Sequence, residues 1–244
     1  DKISHAYLFH GPRGTGKTST ARLLAKIVNC ETRLLDSTFY KKGEPCNKCR
    51  PCQEIDEGRA LDVVELDAAS NRGIDEIRSL REGARLSPTS YRHKVFIIDE
   101  AHQLTKPAAD ALLKTLEEPP AHVIFVLATT EIEKVSSTIT SRTQRFYFRR
   151  LPIQAVLEKL EKITKAEKLK ISTDALELIA SASEGSFRDA EALLEQVINI
   201  GDGMSLEAVE HILGKVGFGR TDALTGYLLG GNLKASLDYL HEID

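Results

Sequence analysis

Three groups of residues in this chain have the types and spacing that chemistry needs. The first is the run Gly11-Pro12-Arg13-Gly14-Thr15-Gly16-Lys17-Thr18, which fits G-x-x-x-x-G-K-[ST]. An apolar stretch, Ala6-Tyr7-Leu8-Phe9, leads into it, and helix formers follow from Thr20 to Lys26. Strand, glycine loop and helix in that order make a phosphate-binding loop. Glycines let backbone N–H groups turn inward around phosphate oxygens, and the helix N-terminus adds a favourable dipole. Lys17 is expected to reach the β- and γ-phosphates and the Thr18 hydroxyl to bind Mg²⁺. With Ser19, residues 11–19 make up the expected nucleotide-contacting loop.

The second group is Asp99-Glu100 at the end of the apolar run Val95-Phe96-Ile97-Ile98. Four apolar residues in a row predict a strand buried on both faces, as in a parallel sheet. Two carboxylates at its carboxyl end are costly unless they have a task there. Asp99 is expected to hold the Mg²⁺ through water, and Glu100 to orient and polarise the water that attacks the γ-phosphate. His102 reads as a surface or supporting residue rather than a base. Thr129-Thr130 ends a further apolar run, and Thr130 is placed to touch the γ-phosphate or the attacking water.

The third group is Cys30, Cys46, Cys49 and Cys52, the only four cysteines. C-x-x-C-x-x-C with one cysteine upstream suggests tetrahedral Cys₄ zinc that staples a loop rather than doing chemistry. Lys41, Lys42, Lys48 and Arg50 would offset the charge of four thiolates. An iron–sulfur cluster and a redox C-x-x-C pair are the rival readings. The familiar ferredoxin run has its fourth cysteine downstream and followed by proline, which this chain lacks.

These residues need a scaffold. Strands are predicted near residues 6–10, 61–67, 94–99, 123–129 and 145–149, and helices near 17–29, 73–86, 105–117 and 135–141. Such alternation gives an α/β fold, a parallel sheet covered by helices on both sides. Thr105 is expected to cap its helix, with Pro107 in the first turn and Pro119-Pro120 beyond its end. Leu151-Pro152 marks a boundary. Beyond it the pattern is helical, over Ile153–Leu169, Thr173–Ala182, Phe187–Ile200 and Ser205–Leu213. The expected organisation is an ATPase domain over 1–150 with a cysteine module at about 30–52, a helical lid over 151–214, and the start of a truncated helical domain over 215–244. The chain begins almost at once in a core strand, so an upstream segment is expected as well.

Two arginines take meaning from position. Arg142 sits just before the last strand, and an arginine brought to a neighbour's site neutralises charge on the γ-phosphate. Arg188, at the start of a lid helix, is placed to sense that phosphate.

Composition sets the outer limits. Of 244 residues, 41% are hydrophobic and 28% charged, with a net charge of −3, as in soluble globular proteins. No apolar run approaches a membrane span and no secretory leader is read, so a cytoplasmic protein is expected. The overall charge gives no argument for nucleic acid, and any such surface must be a local patch.

The order and spacing of the phosphate loop, IIDEAH, LATT, SR and GSFRDA resemble AAA+ ATPases of the clamp-loader group. HAYLFHGPRGTGKTSTARLLAK, the cysteine insertion after it, ELDAASNRGIDEIR and ALLKTLEEPP narrow the resemblance to the tau/gamma family of bacterial DNA polymerase III, over about residues 3–215. The resemblance implies an ATP-driven motor subunit that opens the sliding clamp and places it on primed DNA. Its partners would be delta, delta-prime and further tau/gamma copies in a hetero-pentamer, while the fragment alone is expected to be monomeric. It implies zinc on the cysteines, an arginine finger in trans at Arg142, a sensor at Thr130 and a lid sensor at Arg188. It implies backbone contacts to DNA at Arg78, Lys114, Lys134 and Thr138, with Arg72 standing in for a neighbouring basic position. Thr143 stands where the family usually has cysteine, and the stretch from Cys30 to Cys46 is longer than in many relatives. A non-hydrolysing stator of the delta-prime type, a nucleotide-regulated binding module and a P-loop kinase are the alternatives. The intact Gly11, Gly16, Lys17, Thr18, Asp99 and Glu100 argue against the stator.

Overall fold

The apolar runs that end on the acids and threonines fold as the inner strands of one sheet. The computed structural model describes residues 3–199, 206–214 and 218–243 and separates two units, Asp1–Arg149 and Arg150–Asp244. The first contains β1 (Ala6–His10), α1 (Lys17–Asn29), α2 (Glu31–Leu35), α3 (Ser37–Tyr40), α4 (Arg50–Asp56), β2 (Val63–Asp67), α5 (Ile74–Arg85), β3 (Lys94–Asp99), α6 (Lys106–Glu117), β4 (Val123–Thr129), α7 (Ser137–Thr140) and β5 (Gln144–Tyr147). All strand pairs are parallel, in the order β2-β3-β4-β1-β5.

Successive side chains of a strand point to opposite faces, and here both faces are covered. Val95 and Ile97 of β3 join Phe9, Ile124 and Val126 against Ala21, Ala25 and Val28 of α1. Phe96 and Ile98 join Leu8, Phe125 and Leu127 against Ile77 and Leu80 of α5 and Leu112 and Leu116 of α6. The parity matters for the site: Asp99 follows Ile97 by two and so falls on the α1 side. The chain leaves β1 for the far edge at β2 and returns through β3 and β4. The carboxyl ends of β1, β3 and β4 therefore border one crevice, the place where open α/β sheets bind ligands.

The edges of the sheet depart from the sequence expectation. β2 starts at Val63 rather than 61, because Leu61 lies in a turn and is 74% exposed. Asp62 beside it is fully buried and accepts N–H groups from Thr89, Ser90 and Tyr91 at 2.8, 2.7 and 3.0 Å. β5 spans Gln144–Tyr147, not 145–149, and the helix expected over 135–141 is a single turn capped by Ser136. Thr105 occupies the position before α6, but its side chain makes no capping bond, so that expectation fails.

The second unit contains α8 (Ile153–Ala166), α9 (Thr173–Ala182), α10 (Phe187–Asn199), α11 (Leu206–Leu213), α12 (Phe218–Leu229) and α13 (Leu233–Ile243). Apolar stripes of α8 to α11 meet in one cluster built on Val156, Leu160, Ile179, Leu194 and Val209. Ser172 caps α9 through the Ala175 N–H. Ile200 and Ser205, the expected end and start of two lid helices, lie outside the described residues, as do 1–2, 201–204, 215–217 and 244.

Candidate nucleotide site and cysteine cluster

The glycine loop leaves β1 by a path open only to glycine. Gly11 has φ +142°, and a Cβ there would lie 2.0 Å from the carbonyl oxygen of Phe148. Its N–H donates to Thr129 O at 3.2 Å, which pins the loop to the end of β4. Gly14 and Gly16 have φ of 72° and 94°, and Gly16 is the residue before α1. Left-handed backbone at these points costs a residue with Cβ about 1–2 kcal/mol each. Thr15 donates to Pro12 O at 2.9 Å and closes the turn from inside. Arg13 and Ser19 are exposed at the mouth of the loop.

Lys17 is buried, and its ammonium donates to the carbonyls of Gly11 and Pro12 at 2.9 and 2.8 Å. The ammonium is thus held inside the loop curve where it would meet phosphate oxygens. Burial lowers its pKa, while the charges of Glu100 and Asp99 pull the other way. A bound triphosphate would supply the missing countercharge.

Thr18 and Asp99 meet as the strand parity requires, with the hydroxyl donating to Asp99 Oδ2 at 2.7 Å. Hydroxyl and carboxylate oxygens at the lip of a phosphate loop are a hard-cation donor set, suited to Mg²⁺. Glu100 breaks the strand with φ 46° and ψ 45°, a left-handed conformation that is uncommon for a residue with a side chain. Its N–H donates to Asp99 Oδ1 at 2.9 Å. Thr130 donates to Glu100 Oε2 at 3.1 Å. The structure therefore brings Lys17, Thr18, Asp99, Glu100 and Thr130 together.

His102 lies at the same place, and of the two readings for it, supporting residue and surface residue, the second fails. Its side chain is only 4% exposed, with Nδ1 3.4 Å from Glu100 Oε2 and Nε2 3.1 Å from Glu131 Oε1. Nδ1 is also 3.0 Å from Thr129 Oγ1. Nothing in the sequence pattern signals this burial, because His102 follows the strand in a short 3₁₀ turn, Ala101–Gln103.

Arg142, just after α7, pairs with Glu117 Oε1 at 2.7 Å and donates to Thr138 O at 3.0 Å. Arg188 is an exposed residue in the first turn of α10, in the second unit. Arg72, Arg78, Lys114, Lys134 and Thr138 are all exposed. Arg78 pairs with Asp75 at 3.1 Å and Lys134 with Glu131 at 2.6 Å.

The four cysteines converge. Cys30 ends α1, Cys49 precedes α4 and Cys52 lies within it. Their sulfur atoms all lie within 4.8 Å of one another. Zn–S bonds of about 2.3 Å at tetrahedral angles place sulfurs about 3.8 Å apart, so the set fits a tetrahedral ion with little adjustment. Backbone N–H groups of Lys48 and Cys49 point at Cys46 Sγ at 3.4 and 3.2 Å, and that of Cys46 at Cys30 Sγ at 3.3 Å. Amide donors of this kind support thiolates. Desolvation opposes ionisation of Cys46, but hydrogen bonds from Thr32, Lys48 and Cys49 outweigh it and hold the thiol at about 6. The short helices α2 to α4 that carry this module were not read from the sequence.

A five-stranded parallel sheet in this order, with a glycine loop after β1 and paired acids after β3, defines a P-loop ATPase fold of the AAA+ class. A Thermotoga maritima RuvB Holliday junction branch migration motor shares it, with a TM-score of 0.58 and 18% identity over 92% of this chain and 68% of that one. The family described as DNA polymerase III, delta subunit, matches residues 1–152, and the DNA polymerase III clamp loader subunit, ATPase lid domain, matches 155–203. DNA polymerase III subunit tau of Bacillus subtilis is 48% identical over 99% of the chain and 42% of its own length. Subunit gamma/tau of Mycoplasma genitalium is 40% identical over 100% of the chain and 40% of its own length. The chain belongs to the DNA polymerase III clamp-loader subunits, in their tau/gamma family. It spans about two fifths of the length of those two relatives.

Proposed function

We propose that this chain is the ATP-hydrolysing part of a clamp-loader motor subunit, which uses ATP to open a sliding clamp and place it on primed DNA. The observation that carries this reading is the bracket of Lys17, Thr18, Asp99 and Glu100 around the mouth of the glycine loop. A stator has no need of an acid aimed at attacking water. The description of the first matching family as delta subunit is the one point in favour of a non-hydrolysing stator.

In this reading the N–H groups of residues 11–19 cradle the phosphates, and Lys17 leaves its loop carbonyls for the β- and γ-phosphate oxygens. Thr18 and Asp99 would hold Mg²⁺, which when bound neutralises charge on those oxygens. Glu100 takes a hydrogen bond from a water and aligns it on the γ-phosphorus. The new P–O bond forms as the bond to the β,γ-bridging oxygen breaks. ADP leaves, and the water proton ends on phosphate or solvent. Thr130 fixes the Glu100 carboxylate. Arg142 of an adjoining copy adds positive charge as the bond breaks, and Arg188 reports whether the γ-phosphate is present.

The four cysteines hold Zn²⁺ as a staple between α1 and α4. Residues 151–214 serve as the lid, and 215–244 begin the part that joins subunits. Arg72, Arg78, Lys114, Lys134 and Thr138 meet the DNA backbone, which is a salt-dependent and sequence-independent contact. The partners are delta, delta-prime, further tau/gamma copies and the clamp, in a cytoplasmic replisome. Among the described residues no helix is long and apolar enough to cross a membrane. The test is ATP turnover by the full-length protein assembled with its partner subunits. Stimulation by clamp and primed DNA together supports the reading, and turnover indifferent to both refutes it.

A further inference from the structure

The guanidinium of Arg142 is held within its own chain. Nη2 lies 2.7 Å from Glu117 Oε1. Nη1 donates to the Thr138 carbonyl at 3.0 Å and to Ser141 Oγ at 3.3 Å. A guanidinium carries five donors in a fixed planar fork, so these three acceptors orient the group and leave donors over for phosphate oxygens. The side chains of Arg142 and Glu117 are 36% and 49% exposed, so both are open to a neighbouring molecule.

Both partners of this pair are seated on the core. Glu117 is the last residue of α6 and follows Leu116, which is buried in one cluster with Ile139 of α7. At the start of α7 Ser136 Oγ accepts from the Ile139 N–H at 3.4 Å, and at its end Thr143 donates to the Ile139 and Thr140 carbonyls at 3.1 and 3.3 Å. Arg142 is therefore carried on a turn closed at both ends, and Pro119-Pro120 stiffen the chain beyond α6. Glu117 is nonetheless poorly placed for its own helix. The carboxyl end of a helix carries partial negative charge and disfavours an acid, and Glu118 adds a second one. Arg81, Arg85 and Lys114 line a hollow shared with Glu117 and Glu118, yet Glu117 makes its ion pair with Arg142. A pinned arginine loses rotamer freedom, and an exposed pair adds little stability. Fold stability is thus a weak reason for this arrangement, and the orientation of the guanidinium is a better one.

We propose that Glu117 is a positioning residue for ATP cleavage in an adjoining copy: it holds the Arg142 guanidinium in the orientation in which that arginine enters the neighbour's nucleotide site. The proposal rests on the clamp-loader reading given above, in which Arg142 meets a neighbour's γ-phosphate. With Glu117 in place the fork is ordered before the neighbour arrives, and its remaining donors face the oxygens of the transferring phosphoryl group. Without Glu117 the contacts to Thr138 and Ser141 persist, but the group turns about them and must be ordered anew in every cycle. Pre-ordered charges lower a barrier because no reorganisation is left for the moment of reaction. Misplacing such a group by about 1 Å costs up to about a hundredfold in rate. Glu117 itself touches neither the nucleotide nor the attacking water, and acts through Arg142 alone.

The experiment uses full-length protein assembled with its partner subunits and measures steady-state ATP turnover. Glu117→Ala should lower kcat by about tenfold or more and leave KM nearly unchanged, because Arg142 acts on charge that develops in the transition state. Glu117→Gln keeps an acceptor oxygen but loses the charge, and its kcat should fall between those of the parent and Glu117→Ala. Turnover at or above the parental rate in Glu117→Ala, or in Glu117→Gln should the alanine variant not fold, overturns the proposal. Glu117→Ala in an Arg142→Ala background should cost nothing further, since Glu117 acts only through that arginine. A further loss as large as in the parent marks a merely structural role and overturns the proposal. Arg142→Ala alone at the parental rate sinks the reading of Arg142 itself, whereas a slow Arg142→Ala beside a parental Glu117→Ala sinks only the positioning.

Discussion

The Thr18 hydroxyl donates to Asp99 Oδ2 at 2.7 Å, across 81 residues of sequence. The contact joins the first turn of α1 to the tip of β3 and sets two hard oxygen donors side by side. Hydrogen bonds to charged groups contribute about 1.5–3 kcal/mol, and metal coordination adds to that. Thr18→Val should therefore weaken Mg²⁺-dependent ATP binding by about tenfold or more, while leaving metal-free nucleotide binding nearly unchanged. Titration with a fluorescent ATP analogue, with and without Mg²⁺, checks this. Equal weakening under both conditions would remove Thr18 from the metal site.

The cysteine cluster predicts a stoichiometry. Elemental analysis should find one equivalent of zinc per chain, lost in Cys49→Ser. Loss should also lower the thermal midpoint, because α1 and α4 are joined at this point through Cys30 and Cys52. Iron, or no metal in protein purified without chelator, contradicts the staple.

Gly11 has no room for a methyl group. A Cβ would stand 2.0 Å from Phe148 O, a backbone atom that cannot step aside cheaply. Gly11→Ala should destabilise the first unit by about 3 kcal/mol or more, read as a lower urea midpoint. A variant as stable as the parent would mean that the loop and Phe148 are not so closely packed.

Glu54 and Tyr91 tie the cysteine module to the segment before β3 by a hydrogen bond from the phenol to the carboxylate. That bond, followed by those from Arg50, lowers the pKa of Glu54 below its ordinary 4.5. A depressed carboxylate adds stability that is present above the ordinary value and is lost as pH falls through the folded value. Tyr91→Phe should thus be less stable than the parent at neutral pH, and the gap should close in acid below 4.5. Denaturant midpoints at the two conditions decide it. A gap that widens in acid has the wrong sign.

The sequence was most legible where burial is two-sided. β1, β3 and β4 span the expected 6–10, 94–99 and 123–129, because their apolar positions are covered by helix layers. It was less legible at the sheet edges, where β2 and β5 are largely exposed and the pattern thins. The phosphate loop and acid pair were readable because their spacing is fixed by the ligand's own dimensions. His102 and Asp62 were not, since their burial depends on neighbours 27 residues or more away in sequence. The helices of the cysteine module are only four to seven residues long, so no apolar periodicity announces them.

The proposed role of Glu100 is to align the water that cleaves ATP. A single-turnover assay with Glu100→Gln, in full-length protein assembled with its partners, tests it most directly. The variant should bind ATP at parental affinity, with the bound nucleotide recovered as ATP. Release of phosphate at the parental rate would contradict it.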